Sequence, residues 1–261
     1  DSAKSFCQQN APVSQLRQLR DSDDAKGFDV DTWQQMAALG WAGMAIPEEY
    51  GGYGFGYVGL GVVLEETGRS LVSSPLIPTV LLGASIIVEL GSERQKLELL
   101  PKIVEGELLL AMAIDETTFH APTKLNTTAT KSGEKFKLNG SKTFVLDGHI
   151  ADKLIVVART SGESDSANGI SLFLVDPASA GVEISRSHMV DSRNSSQIIF
   201  TDVEVFADNL LGDEGNGFAG LTRVLDRACI GLAAEMLGGI QEVFDRTLEY
   251  LKQREQFGVL I

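Results

Sequence analysis

Few residues in this chain have the type and spacing to do chemistry unaided. Its three histidines, His120, His149 and His188, stand apart from one another and from either cysteine. Cys7 and Cys229 have no Cys or His neighbour at metal-ligand spacing, which argues against a zinc site. A disulfide between them stays open, and a reducing compartment is the simpler reading. Ser195-Ser196 has no base beside it in sequence, so no Ser/His/Asp triad can be deduced. Glu65 and Glu66 are adjacent on a helix and do not face each other, unlike a pair of glycosidase carboxylates. Asp21-Ser22-Asp23-Asp24 reads as a solvated turn. The run Gly51-Gly52-Tyr53-Gly54-Phe55-Gly56 imitates a phosphate cradle, yet it follows no strand and no Lys-Ser/Thr pair comes after it. A packing loop is the better reading there.

The elements that must hold any site follow from pattern. Of 261 residues, 43% are hydrophobic, enough for a real core. With 22 Lys plus Arg against 36 Asp plus Glu, the net charge of −14 argues against binding a nucleic-acid backbone. No apolar run approaches the roughly 20 residues that span a bilayer, and there is no signal-peptide pattern. The chain begins at Asp1 without Met, so the start of the natural protein is expected to lie upstream.

Residues 1–108 read as helices joined by Gly/Pro loops. Phe28–Leu39 is one, with Asp31 as candidate cap. Tyr57–Gly68, Pro78–Gly91 and Ser92–Ile103 follow. From 109 to 212 the pattern becomes short runs rich in Val, Ile, Thr and Phe. Turn signals at Gly133-Glu134 and Asn139-Gly140 separate some of them. That spacing predicts an antiparallel, barrel-like β-domain in which the chain leaves the sheet after Asp202. From 213 the helical period returns. Phe218, Leu221, Leu225, Ala228, Leu232, Met236, Val243, Leu248 and Leu251 form one stripe, weakened at Gly238-Gly239. Cys229 is expected to pack within it. A helix of roughly 35 residues is about 50 Å long and belongs in a bundle. The reading is therefore a multidomain α and β chain: a helical domain, a β-domain, and the first helix of a truncated helical bundle.

Ordered motifs across the chain resemble the acyl-CoA dehydrogenase family. They are Gly40-Trp41 through Ile46-Pro47-Glu48-Glu49-Tyr50-Gly51-Gly52, then Glu65-Glu66-Thr67-Gly68-Arg69, then Gly91-Ser92-Glu93-Arg94-Gln95-Lys96. Leu138-Asn139-Gly140-Ser141-Lys142-Thr143-Phe144, Phe200-Thr201-Asp202-Val203-Glu204-Val205, Gly215-Asn216-Gly217-Phe218 and Arg254-Glu255-Gln256-Phe257-Gly258 complete the series. Each is weak alone, and their order is specific. The resemblance implies FAD between the β-domain and the bundle, and an acyl-CoA substrate in the same crevice. It also implies an electron-transfer flavoprotein as acceptor and a homo-oligomer, a dimer of dimers. The compartment would be bacterial cytoplasm or mitochondrial matrix. A carboxylate would remove the α proton while the flavin accepts the β hydride.

Carried over residue by residue, the flavin segments are Ile114-Asp115 and Phe144-Val145-Leu146. Asp115 stands where the family has a threonine, and the Gly-Ser-Asp turn that follows is missing. His120 falls near the lost serine, either as a donor to a pyrophosphate or CoA or as a solvated loop histidine. Phe144 keeps the aromatic wall, whereas Leu146 replaces a second threonine. The CoA-binding Asp-x-x-Arg becomes Asp226-Arg227-Ala228-Cys229, with Cys229 in place of the arginine and Arg227 as partial compensation. One branch of the family has its catalytic glutamate at the position of Ala228, and the other has it beyond Ile261, so no catalytic base is assigned. Glu235 reads as a solvated or paired helix residue rather than a base. Arg254, Gln256 and Phe257 match a cofactor element that reaches a partner subunit. The planar fork of a guanidinium suits a pyrophosphate, though a helix-end arginine is also favoured by the dipole. The alternatives are a non-catalytic or half-site subunit of a heteromeric dehydrogenase, or a flavin oxidase or monooxygenase of the same fold.

Overall fold

The computed structural model describes residues 1–260. The chain opens with α1 (Ser2–Asn10), α2 (Val13–Asp21) and α3 (Val30–Ala38). The α3 cap is Asp29, whose carboxylate accepts the Thr32 amide at 2.7 Å, and Asp31 lies inside the first turn. An Asp just before the first turn satisfies an amide that has no helical partner. α4 is Gly56–Ser70. Leu76–Ala84 is π-wound and runs into α5 (Ser85–Leu90), where a single α-helix was expected. α6 (Glu93–Val104) starts from a reciprocal capping box of Ser92 and Gln95.

Eight strands then form one sheet. They are β1 (Leu110–Ala113), β2 (Thr128–Ser132), β3 (Lys135–Leu146), β4 (Lys153–Arg159), β5 (Ile170–Val175), β6 (Val182–His188), β7 (Asn194–Phe206) and β8 (Leu210–Leu211). The order is β6-β7-β3-β2-β4-β5-β8, with β1 beside β4. Four expectations are corrected here. The sheet is open, with β6 and β8 at its ends, and does not close into a barrel. It is mixed, because β1 and β2 both run parallel to β4. Asn139-Gly140 is no turn: β3 continues through it, and a shift in its pairing with β7 absorbs the irregularity. Gly140 sits there at φ 148, with Thr127 packed where a Cβ would be. The chain also stays in the sheet beyond Asp202, since β7 extends to Phe206 and β8 pairs with β5. Gly133-Glu134 does turn between β2 and β3.

Both sides of the sheet centre are covered. Ile155 and Val157 of β4 face the helical core, while Leu154, Val156 and Ala158 face a second core with Phe136, Phe173 and Phe200. A strand buried on both faces must be apolar throughout, which explains the unbroken Leu154–Ala158 run.

α7 (Phe218–Gln253) is one continuous helix of 36 residues and packs along α4. Glycines make that crossing close. A Cβ on Gly68 would strike the Glu235 carbonyl, and one on Gly238 would strike the Glu65 carbonyl. Gly238 gives up helix propensity and in return lets two backbones touch. The expected stripe is half covered: Leu221 and Ala228 are buried, while Met236, Val243, Leu248 and Leu251 are exposed. Cys229 is exposed rather than packed, because it lies a third of a turn from buried Ala228. Cys7 is buried, and the two thiols are unpaired. No described helix is long and apolar enough to cross a membrane.

The adjacent glycines allow a sharp comparison. Gly238→Ala should lower stability by about 2–4 kcal/mol, since the added methyl meets rigid backbone. Gly239→Ala, with its nearest contact at 3.7 Å, should be neutral or stabilising by up to about 1 kcal/mol from helix propensity. Urea midpoints of the two variants decide it, and equal effects would refute the close crossing.

Candidate functional site

A buried lysine organises the expected flavin segments. Lys142 is fully buried on β3, and its ammonium donates to the Ile114 carbonyl at 2.9 Å and to Glu116 Oε1 at 2.8 Å. Burial pushes its pKa down to about 8, although Glu116 pulls it upward. For Glu116, burial acts to raise the pKa. Lys142 and the amides of Asn126 and Thr127, the latter two bonded at 2.6 and 2.9 Å, outweigh it and hold Glu116 below the usual range. The Thr143 amide adds a bond of 2.8 Å to the Asp115 carbonyl. Residues 114–116 and 142–144 are thus one rigid unit.

The end of β3 divides two cavities. A second pairing irregularity lies between Lys142 and Val145. Phe144 and Asp147 both take left-handed backbone at φ 51. Asp tolerates this region in turns, whereas for Phe144 it costs about 1 kcal/mol or more, so the surrounding structure must enforce it there. Phe144 turns its half-exposed ring toward a groove of about 440 Å³ shared with Ser187–Val190 and Ser195–Gln197. Val145 packs wholly into the second core, so its side chain faces no ligand. Leu146 and Asp147 line a cleft of about 310 Å³ on the other side. An exposed ring in an enforced conformation fits a planar ligand.

The cleft runs between the helical half and the sheet. Leu71, Val72, Pro78, Leu146 and Met236 give it apolar walls, and Asp147, Arg193 and Glu235 give it charge. Arg193 Nη2 pairs with Glu235, tying the loop before β7 to α7. Glu235 is therefore a paired helix residue, as expected. Burial pushes Asp147 up to about 7, although Arg193 and Arg186 pull it down.

The remaining candidates do not converge on this cleft. Ile114 is buried at the end of β1. Asp115 is occupied by His120 Nδ1 at 2.9 Å and by the Ala121 amide at 3.0 Å. His120 is an exposed loop histidine held through Nδ1 by a carboxylate, and its Nε2 has no partner among the described residues, so both alternatives stand. On α7, Asp226 and Cys229 are exposed. Arg227 donates to Glu89 at 2.9 Å with its guanidinium 5.3 Å from the Tyr57 ring, on a different face of α7 from position 229. Arg254, Gln256 and Phe257 lie on an exposed hairpin of β9 (Glu255–Gln256) and β10 (Val259–Leu260). Phe257 and Gly258 form its turn at φ 55 and 78. Among the described residues Arg254 has no ion pair, which leaves its fork free.

Sequence reasoning missed Lys142, Glu116, Asp147, Arg193 and Glu235 as site residues. Lys142 had a signal, because it falls on the inward side of the β3 alternation after Phe136 and Leu138. Arg193 and Glu235, 42 positions apart, had none.

Two outcomes follow from these charges. Lys142→Met should cost about 3–5 kcal/mol by leaving Glu116 buried and unpaired, and adding Glu116→Gln should recover part of that loss. Urea unfolding of the single and double variants measures it, and additive losses would refute the pair. For Asp147, the folded pKa near 7 lies above an unfolded value of about 4. The native state then holds the extra proton between those values, so this group's contribution falls as pH rises through that window. Asp147→Asn should flatten the wild-type decline in Tm between about pH 4 and pH 7, and an unchanged slope would refute the shift.

Comparison with known proteins places this geometry. Residues 1–107 match the acyl-CoA dehydrogenase N-terminal domain, 111–203 the middle domain and 215–261 the C-terminal domain. The chain is 32% identical to an acyl-CoA dehydrogenase of Bacillus subtilis, over 95% of this chain and 65% of that protein. It is 31% identical to a subunit of the caffeyl-CoA reductase–Etf complex of Acetobacterium woodii, over 98% of this chain and 68% of that one. Butyryl-CoA dehydrogenase from Megasphaera elsdenii superimposes with a TM-score of 0.85 at 29% identity, covering 99% of this chain and 68% of that structure. The chain thus spans about two thirds of the length of these relatives. Order of elements, the strand end between two cavities and three consecutive domain matches agree: the chain belongs to the acyl-CoA dehydrogenase family.

Proposed function

We propose that this chain serves FAD-dependent α,β-dehydrogenation of an acyl-CoA thioester. The observation that carries the reading is the end of β3, where Phe144 faces one cavity and Leu146 the other within the family's fold. A flavin bound there supplies the hydride acceptor. Phe144 offers the ring a platform, while Lys142 and Thr143 fix the backbone of Ile114 and Asp115 at its edge. Arg254 supplies a free guanidinium for the diphosphate of a neighbouring subunit. Leu71, Val72, Pro78 and Met236 exclude water from the acyl cleft. Domains 1–108, 109–212 and 213–261, a dimer of dimers, and residence in bacterial cytoplasm or mitochondrial matrix belong to the same reading. So does electron transfer to an electron-transfer flavoprotein, supported by the relative that forms a reductase–Etf complex.

One observation favours a second reading, a half-site subunit of a heteromeric enzyme. Asp115 is engaged by His120, Leu146 brings no hydroxyl, and Cys229 brings no charge. Fewer polar anchors then remain for flavin and CoA. The full-length protein distinguishes the two. A yellow protein whose visible flavin bands bleach with octanoyl-CoA under anaerobic conditions is expected. Colourless protein that takes up no added FAD would overturn the first reading for a homo-oligomer and support the second. Oxygen consumption with peroxide release would point to an oxidase.

A further inference from the structure

The acyl cleft carries a polar element that a plain hydrocarbon chain leaves unused. Three carboxylates border it, and two are accounted for: Glu235 is spent on Arg193, and Asp191 is exposed to solvent. Asp147 alone is free, since no described group donates a hydrogen bond to its carboxylate. It sits in left-handed backbone at the start of the turn that follows β3, a conformation Asp adopts readily. Arg193 binds Glu235 through one terminal nitrogen only, and its other donors have no partner among the described residues. A free acceptor and free donors thus border one cavity whose other walls are apolar.

The chemistry of a complementary ligand follows. Asp147 and Arg193 are both partly exposed, so a bound chain that sealed them from water without pairing with them would be disfavoured. With three carboxylates to one guanidinium, the cleft disfavours a second anion. An ammonium would require Asp147 to stay ionised in a place where burial resists ionisation. A hydroxyl both donates and accepts, so it pairs with either protonation state of Asp147 and also accepts from Arg193. We propose that the cleft selects an acyl group bearing an uncharged hydroxyl, held between Asp147 and Arg193, over the plain chain of equal length. The assignment rests on the acyl-CoA reading above. It makes Asp147 and Arg193 specificity residues.

The test uses the full-length protein with its bound cofactor. Octanoyl-CoA, its monohydroxy isomers substituted at each carbon beyond the fourth, and the thioester with a terminal carboxylate are compared by titration calorimetry. At least one hydroxy isomer should bind ten-fold or more tightly than octanoyl-CoA. Asp147→Gly, which tolerates the left-handed backbone, should bring that ratio close to one, whereas Asp147→Asn should keep most of it. Octanoyl-CoA binding as tightly as every isomer overturns the proposal while leaving the acyl-CoA reading intact. Tightest binding of the carboxylate, or a ratio untouched by Asp147→Gly, also overturns it. If no thioester binds, the acyl-CoA reading itself fails, and the proposal with it. Should the glycine variant not fold, the wild-type ratios still decide.

Discussion

A lysine ammonium with no access to water dictates how the site is built. An unpaired charge in that position would cost several kcal/mol, so the fold must bring a carboxylate and a carbonyl to it. Glu116 and Ile114 answer that demand from the segment after β1, and in doing so they fix that segment against β3. Glu116 also receives the amides of Asn126 and Thr127, so one carboxylate organises the approach to β2. The pair contributes little net stability in the usual accounting for buried ions. Its effect is to permit a single arrangement of the strand ends.

From that rigid unit the two cavities acquire their separate characters. Phe144 and Asp147 sit three residues apart with the same left-handed twist, one presenting a ring and the other a carboxyl. Between them, Val145 anchors the strand in the core. A short segment with fixed ends and a buried middle holds its flanking side chains on opposite sides without large helical supports. The Arg193–Glu235 pair then spans the mouth of the cleft, so sheet and long helix are linked at the point where a ligand would lie.

Much of this architecture was legible in the residues. α4 and α6 announced themselves by apolar period, and Ser92-x-x-Gln95 is a capping signal readable without a structure. Misreadings came where a local signal met a nonlocal constraint. Asn139-Gly140 is a good hairpin pair, yet β7 pairs with β3 on both sides of it and holds the strand straight. The α7 stripe was taken from side-chain hydrophobicity, while the tightest contact used glycines, whose value lies in having no side chain. Phe144 and Leu146 were found through motif resemblance. Asp147 stood beside them in sequence, but its importance depends on Arg193 and the cleft walls, which only the topology brings near.

The crossing of α4 and α7 also orders events during synthesis. Arg69 meets Asp245 across 176 residues of chain, close beside the glycine contacts. The groove on α4 therefore stays open until the residues around Asp245 have been made. At common ribosomal speeds that delay is roughly ten to thirty seconds. Throughout it, Leu64 and Leu81 lack the cover that α7 later provides at Gly231, so apolar surface of the N-terminal half stays open to water.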